Sequence, residues 1–452
     1  LDLEAHARHL FIIGKPKDEI INELSILSGS KAKAEAVLTE IVNTENITDS
    51  FIAEISGFHE SGINADRSGL GCRGEGDFFI HHKIAELIEN KNTLIGPDQQ
   101  DDAGIVKLGS GYLAVAVDGM HSRLSHFPFI AGFHVARAAI RDIIVMGCSP
   151  KALFSDIHLA NDGDVAKVFD YTAGISAVGE LSDIPLIAGS TLRIGGDLVL
   201  GDRLTGCAGC IGHGMQLTPR KDAKPGDVLI MTEGSGGGTI ATTALFNGLS
   251  EVVKQTLNLR MIGLGKELMN SELLTTIHSI TDITNGGVRG DAFEISNTAH
   301  VKIVIYEDKF LNLVDPIVLA MLEKLGIDPL GVSIDSFLFI LPPEHVEQLM
   351  KFISDLDYKV DIIGGVTTRQ TDGPGESIGV SLIKNSALPD EQMEEIPLYP
   401  EFREAPYTPI KKVVNVKVKD QEALEQQLEV AKNRSLAKKE MVKNWIIQER
   451  LL

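Results

Sequence analysis

GPDQQDDAGIVKLGSGYLAVAVDGM, residues 96–120, holds most of what decides the fold. Residues 104–108 and 113–117 are short, apolar and β-branched, the pattern of strands. Asp98, Asp101 and Asp102 precede the first strand, and Asp118 ends the second. Further on, Asp142 interrupts the apolar helical stretch RDIIVMGCSP, and Asp282 ends the strand of HSITDITNGG. Aspartate is rare in cores unless it is paired or bound to metal. Carboxylates converging on one point repel one another, and a divalent cation removes that cost. Mg²⁺ takes hard oxygen ligands and shares them with phosphates. The set therefore predicts an acidic Mg²⁺ cluster gripping a polyphosphate. Taken singly, each aspartate also reads as a turn or cap residue.

Around this stretch, strands and helices alternate. Strands are expected over 152–159, 186–192 and 198–212, and helices over 131–146 and 165–181. This is α+β or α/β logic. KPGDVLIMTEGSGGGTIATTAL, residues 224–245, restarts the series with a strand, a glycine-rich turn and a helix. The expected organisation is a helical extension over 1–60, a first domain over 61–215, a second over 216–388, and a Pro-rich strap with a helix over 389–452. That tail is locally basic, with ten Lys/Arg against six Asp/Glu after residue 410. It suits a helix docked on the acidic body or on a partner.

The chain has 452 residues, enough for two or three well-filled domains. With 43% apolar and 23% charged residues it reads as globular rather than disordered. Asp+Glu is 63 against Lys+Arg 42, a formal charge of −21. Such a field disfavours nucleic acid and anionic membranes. Four cysteines exclude a disulfide scaffold, and no signal or membrane-spanning segment is read, so a cytoplasmic protein is expected.

Several segments, in order, resemble the superfamily of aminoimidazole ribonucleotide (AIR) synthetase, the PurM-like proteins. Its branches include thiamine monophosphate kinase, selenophosphate synthetase and a hydrogenase maturation protein. GEGDFFIHHKIAEL (74–87) looks like the start and first helix of the thiamine monophosphate kinase branch. DDAGIV, AVDGM and ARAAIRDIIVMGCSP look like the double-aspartate motif, the strand-ending aspartate and the following helix. IAGSTLR, KPGDVLIMTEGSGGG and TDITNGGVRGDAFEIS continue it, and IDPLGVSIDSFLFILPP and IIGGV look like the closing strands, so the match runs over roughly 74–385. The resemblance implies a two-domain α+β fold whose first domain supplies a dimerising β-sheet and whose second is α/β. It implies ATP and Mg²⁺ as cofactors, with Asp101, Asp102, Asp118, Asp142 and Asp282 as metal ligands. Gly74, Glu75, Gly76, Gly189, Ser190, Thr191 and Asn285 would lie near the nucleotide. Asp102 and Asp118 would carry the catalysis. The implied activity is ATP-dependent phosphoryl transfer to a small or protein-borne acceptor by a homodimer. The alternatives are an ATP-binding maturation factor whose helical ends dock a client protein, and a catalytically silent relative.

The chain also departs from the pattern. Ser190 stands where the turn usually has an acid, and Asn285 where kinases often carry a second aspartate. Arg141 precedes Asp142. Arg141 and Arg193 read either as forks for phosphate oxygens or as structural ion pairs. Cys72 in GLGCRGEG echoes the reactive cysteine of selenophosphate synthetases, with Arg73 able to favour its thiolate; an ordinary loop thiol is the other reading. Cys207 and Cys210 form half a zinc motif at most, and three residues apart in a strand they face opposite sides. A pair of small hydrophobes is expected there. GSGGG (234–238) lacks the lysine of a P-loop, and reads as an anion-binding turn or a simple tight turn.

Overall fold

The computed structural model describes residues 1–89, 91–369, 379–389, 392–401 and 421–448. At the amino end, α1 (Leu3–Ile12), α2 (Lys17–Ser28) and α3 (Lys31–Glu45) close on a small core of Leu3, Leu10, Ile20, Leu24, Val37 and Ile41. Side-chain caps from Asp2 and Ser30 start α1 and α3. Then come α4 (Ser50–Ser56), the single turn α5 (Ala65–Ser68) and α6 (Glu75–Ala85).

The first sheet contains β1 (Gly104–Leu108), β2 (Gly111–Gly119), β3 (Ser149–Leu159), β4 (Leu186–Arg193) and β5 (Leu204–Gly214). Their spatial order is β1-β2-β5-β3-β4. Only β3 and β4 pair in parallel, with α8 (Ala166–Leu181) as the crossover. The fifth strand begins at Leu204 rather than at 198. Leu198 and Leu200 are apolar because they pack on the amino-terminal bundle, and Leu3 donates its amide to the Leu198 carbonyl at 2.9 Å.

One helix dominates this half. In α7 (Pro128–Val145), 14 of 18 residues are buried, so any charge it carries must find a partner inside. It approaches α8 backbone to backbone: a Cβ on Gly132 would lie 2.0 Å from the Tyr171 carbonyl oxygen. The opposite face of the sheet is open, with Val115, Val117 and Ile187 exposed.

The second sheet has seven strands in the order β12-β11-β8-β10-β6-β9-β7. They are β6 (Val228–Thr232), β7 (Ser279–Asp282), β8 (Val301–Tyr306), β9 (Phe337–Leu341), β10 (Val360–Thr368), β11 (Val380–Ile383) and β12 (Glu395–Pro397). Between them run α9 (Gly238–Phe246), α10 (Ser250–Thr256), α11 (Arg260–Met269), α12 (Gly287–Ala299), α13 (Glu307–Leu311), α14 (Pro316–Leu325) and α15 (Val346–Asp355). The fold is the two-sheet α+β arrangement expected. The Pro-rich segment is more than a strap, because β12 pairs with β11 and extends the sheet; residues 402–420 lie outside the described residues. A carboxy-terminal helix (Gln421–Gln448) closes the chain. Among the described residues no helix is long and apolar enough to cross a membrane.

β7 is the edge strand facing the first domain, and the Ile280 amide donates to the Thr218 carbonyl at 3.0 Å. That edge brings Asp282 against α7. Helix α7 and the edge of the second sheet thus form the two walls of one cleft.

Candidate active site

The chain reaches the cleft from eight places. From the first domain come Asp101 and Asp102 ahead of β1, Asp118 near the end of β2, and Arg137, Arg141 and Asp142 on α7. From the second come Thr281 and Asp282 at the end of β7, Asp291 and Glu294 on α12, and Asp335 before β9. Arg220, in the turn joining the domains, lies between the two sets. Arg73 enters from the loop before α6.

Arg220 is 1% exposed and is the hub. Its Nη2 stands 2.5 Å from Asp102 and 3.4 Å from Asp291, and its Nη1 3.0 Å from Glu294. It also donates to the Gln100 carbonyl at 2.7 Å and to Thr281 Oγ1 at 2.9 Å. Burial opposes its charge, but Asp102, Glu294 and Asp291 outweigh this and raise its pKa. Arg141 forms a second knot, with Nε on Asp282, Nη1 2.7 Å from Asp335 and Nη2 3.7 Å from Asp142. Arg137 adds a third link, 3.1 Å from Asp335. Asp335 has a left-handed backbone (φ 56°) and also accepts from Ser333 at 3.1 Å. Burial pushes its carboxyl up, but Arg141 and Arg137 together hold it below the usual range.

The remaining acids have only longer ion pairs, as Asp291 and Asp142 do, or none among the described residues, as with Asp101 and Asp118. Burial raises Asp118, against the pull of Arg141. Burial also pushes Asp142 well above the usual range, with Asp118 and Asp102 adding to the rise. Asp101 is driven up to about 7 by burial, although it accepts the Arg220 amide at 3.0 Å. Asp291 likewise rises to about 7 through burial. His134 beside Arg137 is pushed down to about 3 by burial, so it is a neutral ring bonded to Thr256.

Of the five aspartates singled out as metal ligands, all reach the cleft, but they do not form a ready-made cage. Among the described residues no three His, Cys, Asp or Glu side chains stand close enough together to hold a metal. Asp102 and Asp282 are taken by Arg220 and Arg141. Asp101, Asp118 and Asp142 are acids whose charge burial penalises with no arginine guanidinium nitrogen within 3.5 Å of a carboxylate oxygen. Their oxygen-only chemistry suits Mg²⁺ that brings phosphate oxygens as its remaining ligands.

Other sequence candidates are distributed unevenly. Gly74, Glu75 and Gly76 open α6, beside Arg73 at the mouth of the cleft. Asn285 is there too: its side-chain oxygen accepts from Thr239 on α9 at 2.6 Å, and its carbonyl accepts from Arg73 Nε at 3.3 Å. Gly189, Ser190 and Thr191 form no turn. They lie in the exposed edge strand β4, three strands from β2, so about 14 Å separates them from Asp118 along the sheet. Ser190 shares the row of Gly119, Cys207 and Asp156, one step out of phase with Asp118 and so on the other face. Arg141 is an ion-paired core residue, and Arg193 pairs with Asp197 at the surface. GSGGG leads into α9, and a Cβ on Gly237 would meet the Asp335 carboxylate at 2.6 Å. Cys210 is buried, with its thiol pushed up to about 12, while Cys207 is half-buried; all four cysteines are free. Cys72 is half-buried in the loop beside Arg73.

The AIR synthase related protein N-terminal domain model matches residues 100–212, and its C-terminal domain model matches 224–374. The chain belongs to this family. An uncharacterized protein of Methanocaldococcus jannaschii is 43% identical over 98% of this chain and 97% of its own length, so it shares the helical ends. A thiamine-monophosphate kinase of Pyrococcus abyssi is 27% identical over 58% of this chain and 80% of its own. Among solved structures, the HypE–HypF complex matches with a TM-score of 0.56 and 19% identity, covering 72% of this chain and 99% of that one. That likeness concerns the fold.

Proposed function

We propose that the chain binds ATP with Mg²⁺ in the interdomain cleft and transfers a phosphoryl group to a small or protein-borne acceptor. One observation carries this reading: Asp101, Asp118 and Asp142 of the first domain share a cleft with the glycine turn and arginine-held acids of the second. Such a place rewards a polycation–polyanion pair, since buried carboxylates lacking a close cation gain from one. Phosphoryl transfer needs mainly positioning and charge neutralisation. Mg²⁺, when bound, would neutralise phosphate charge beside Asp101, Asp118 and Asp142. Arg141 and Arg220 fix the acids around it, so the walls do not collapse when the ligand leaves. The kinase relative agrees with this class of chemistry. We infer a homodimer built on the open face of the first sheet, where Val115, Val117 and Ile187 lie exposed, and a cytoplasmic setting that suits four free thiols.

A second reading is an ATP-binding assembly factor. It is favoured by the helical ends, which the 43% identical relative shares and which lie outside the matched family domains. Purified protein incubated with Mg·ATP and a panel of small acceptors separates the two. Acceptor-dependent ADP release supports the enzyme. Tight ATP binding without turnover supports the assembly factor, and absence of binding refutes both.

A further inference from the structure

The loop over residues 69–76 is built to be held down. Gly69 and Gly71 have φ of 71° and 75°, and Arg73, with a side chain, adopts φ 55°. Asp77 holds this turn by accepting the amides of Gly71 at 2.8 Å and Arg73 at 2.9 Å. From there the Arg73 side chain crosses to the second domain. Its Nη2 lies 2.8 Å from Glu294 and 3.5 Å from Asp291, acids that are otherwise served by Arg220. The second domain has a seat for it: a Cβ on Gly286 would stand 2.8 Å from the Arg73 carbonyl oxygen. Phe78 on α6 stacks on Phe293 of α12, with centroids 5.8 Å apart.

Helix α6, which carries this loop at its start, is gripped from outside by the end of the chain. Lys83 meets Glu429 at 2.8 Å, Lys432 meets Glu86, and Lys439 donates to the Leu87 carbonyl at 2.6 Å. Trp445 packs on Phe51 of α4, with centroids 5.1 Å apart. The Glu75 amide at the loop's end donates to the Glu401 carbonyl at 3.0 Å. Exposed ion pairs of this kind are individually weak and screened by salt, which makes the grip releasable.

We propose that residues 69–76 are a lid over the cleft, latched by Arg73 on Asp291 and Glu294, and that the carboxy-terminal helix holds it shut through α6. The lid's control of nucleotide entry rests on the ATP reading above; the latch itself does not. A triphosphate offers Arg73 a competing anion, so entry and unlatching are coupled. Anything that draws the carboxy-terminal helix away frees the lid.

Cys72 sits in the lid, while Cys148 and Cys210 are buried. In the full-length Cys207→Ser protein, the rate of thiol labelling without nucleotide therefore reads lid opening. Arg73→Gln should speed Cys72 labelling about tenfold or more, as expected for losing a charged hydrogen bond to a buried acid. Glu429→Lys, far from the cleft, should speed it several-fold and shift the emission of Trp445, the single tryptophan. Unchanged labelling in a folded Arg73→Gln protein refutes the latch. A Trp445 shift with unchanged Cys72 labelling in Glu429→Lys refutes the helix as its clamp. If calorimetry finds no Mg·ATP binding while both accelerations stand, the ATP reading falls and the latch survives.

Discussion

Replacing Arg220 with alanine removes a cation that touches three buried acids, yet the loss should be that of one. Glu294 and Asp291 keep Arg73 at 2.8 and 3.5 Å. Among the described residues, Asp102 keeps only the hydrogen bond of the Thr281 hydroxyl, at 2.9 Å. One buried carboxylate is thus left without its cation, which costs about 3–5 kcal/mol. At roughly 2–4 °C per kcal/mol for a domain of this size, the unfolding midpoint should fall by about 6–20 °C. Thermal unfolding followed by far-ultraviolet circular dichroism measures this. Asp102→Asn combined with Arg220→Ala removes the orphaned charge, so the double variant should recover much of the loss. A midpoint change below about 2 °C in the single variant, or no recovery in the double, would refute the hub.

Two other predictions concern acidity and assembly. Burial holds Asp291 at about 7, above its ordinary 3.8. The unfolded chain thus releases this proton first, and its ionisation lowers the stability of the fold as pH rises between those values. Relative to Asp291→Asn, the protein should gain up to about 1.4 kcal/mol per pH unit on acidification below 7; a pH-independent difference in urea unfolding contradicts this. On the open sheet face, Val117→Lys should convert a species of about twice 48.9 kDa into one of 48.9 kDa by light scattering. A monomeric parent protein refutes the dimer.

The fold was largely legible because strand-ending aspartates, apolar runs and glycine turns carry their own punctuation. Asp118 and Asp282 stand where the sequence puts them, at or beside the ends of β2 and β7. Asp101 and Asp142 could likewise be picked out, since an acid in or beside an apolar stretch needs a reason. Arg220 could not. In TPRKDAKPG it looks like a solvated turn residue, and only the closure of two domains shows it surrounded by three acids. Arg73 read as a neighbour of Cys72, because its partners lie 218 and 221 positions away. Asp291, Glu294 and Asp335 were hidden in the same way. Their polarity matched a helix face or a loop, and their burial depends on packing between domains. At Gly189-Ser190-Thr191 the family resemblance implies a turn, whereas the residue pattern reads a strand over 186–192, and pairing with β3 makes it an exposed edge strand.

The account stands on acids that wait for a cation carrying a triphosphate. Isothermal calorimetry of ATP, with and without Mg²⁺, tests it most directly when run on the parent protein and on Asp118→Asn and Asp142→Asn. Binding that requires Mg²⁺ and disappears in both variants, with their circular dichroism unchanged, is the predicted result. Equal binding in parent and variants, or none in the parent, contradicts it.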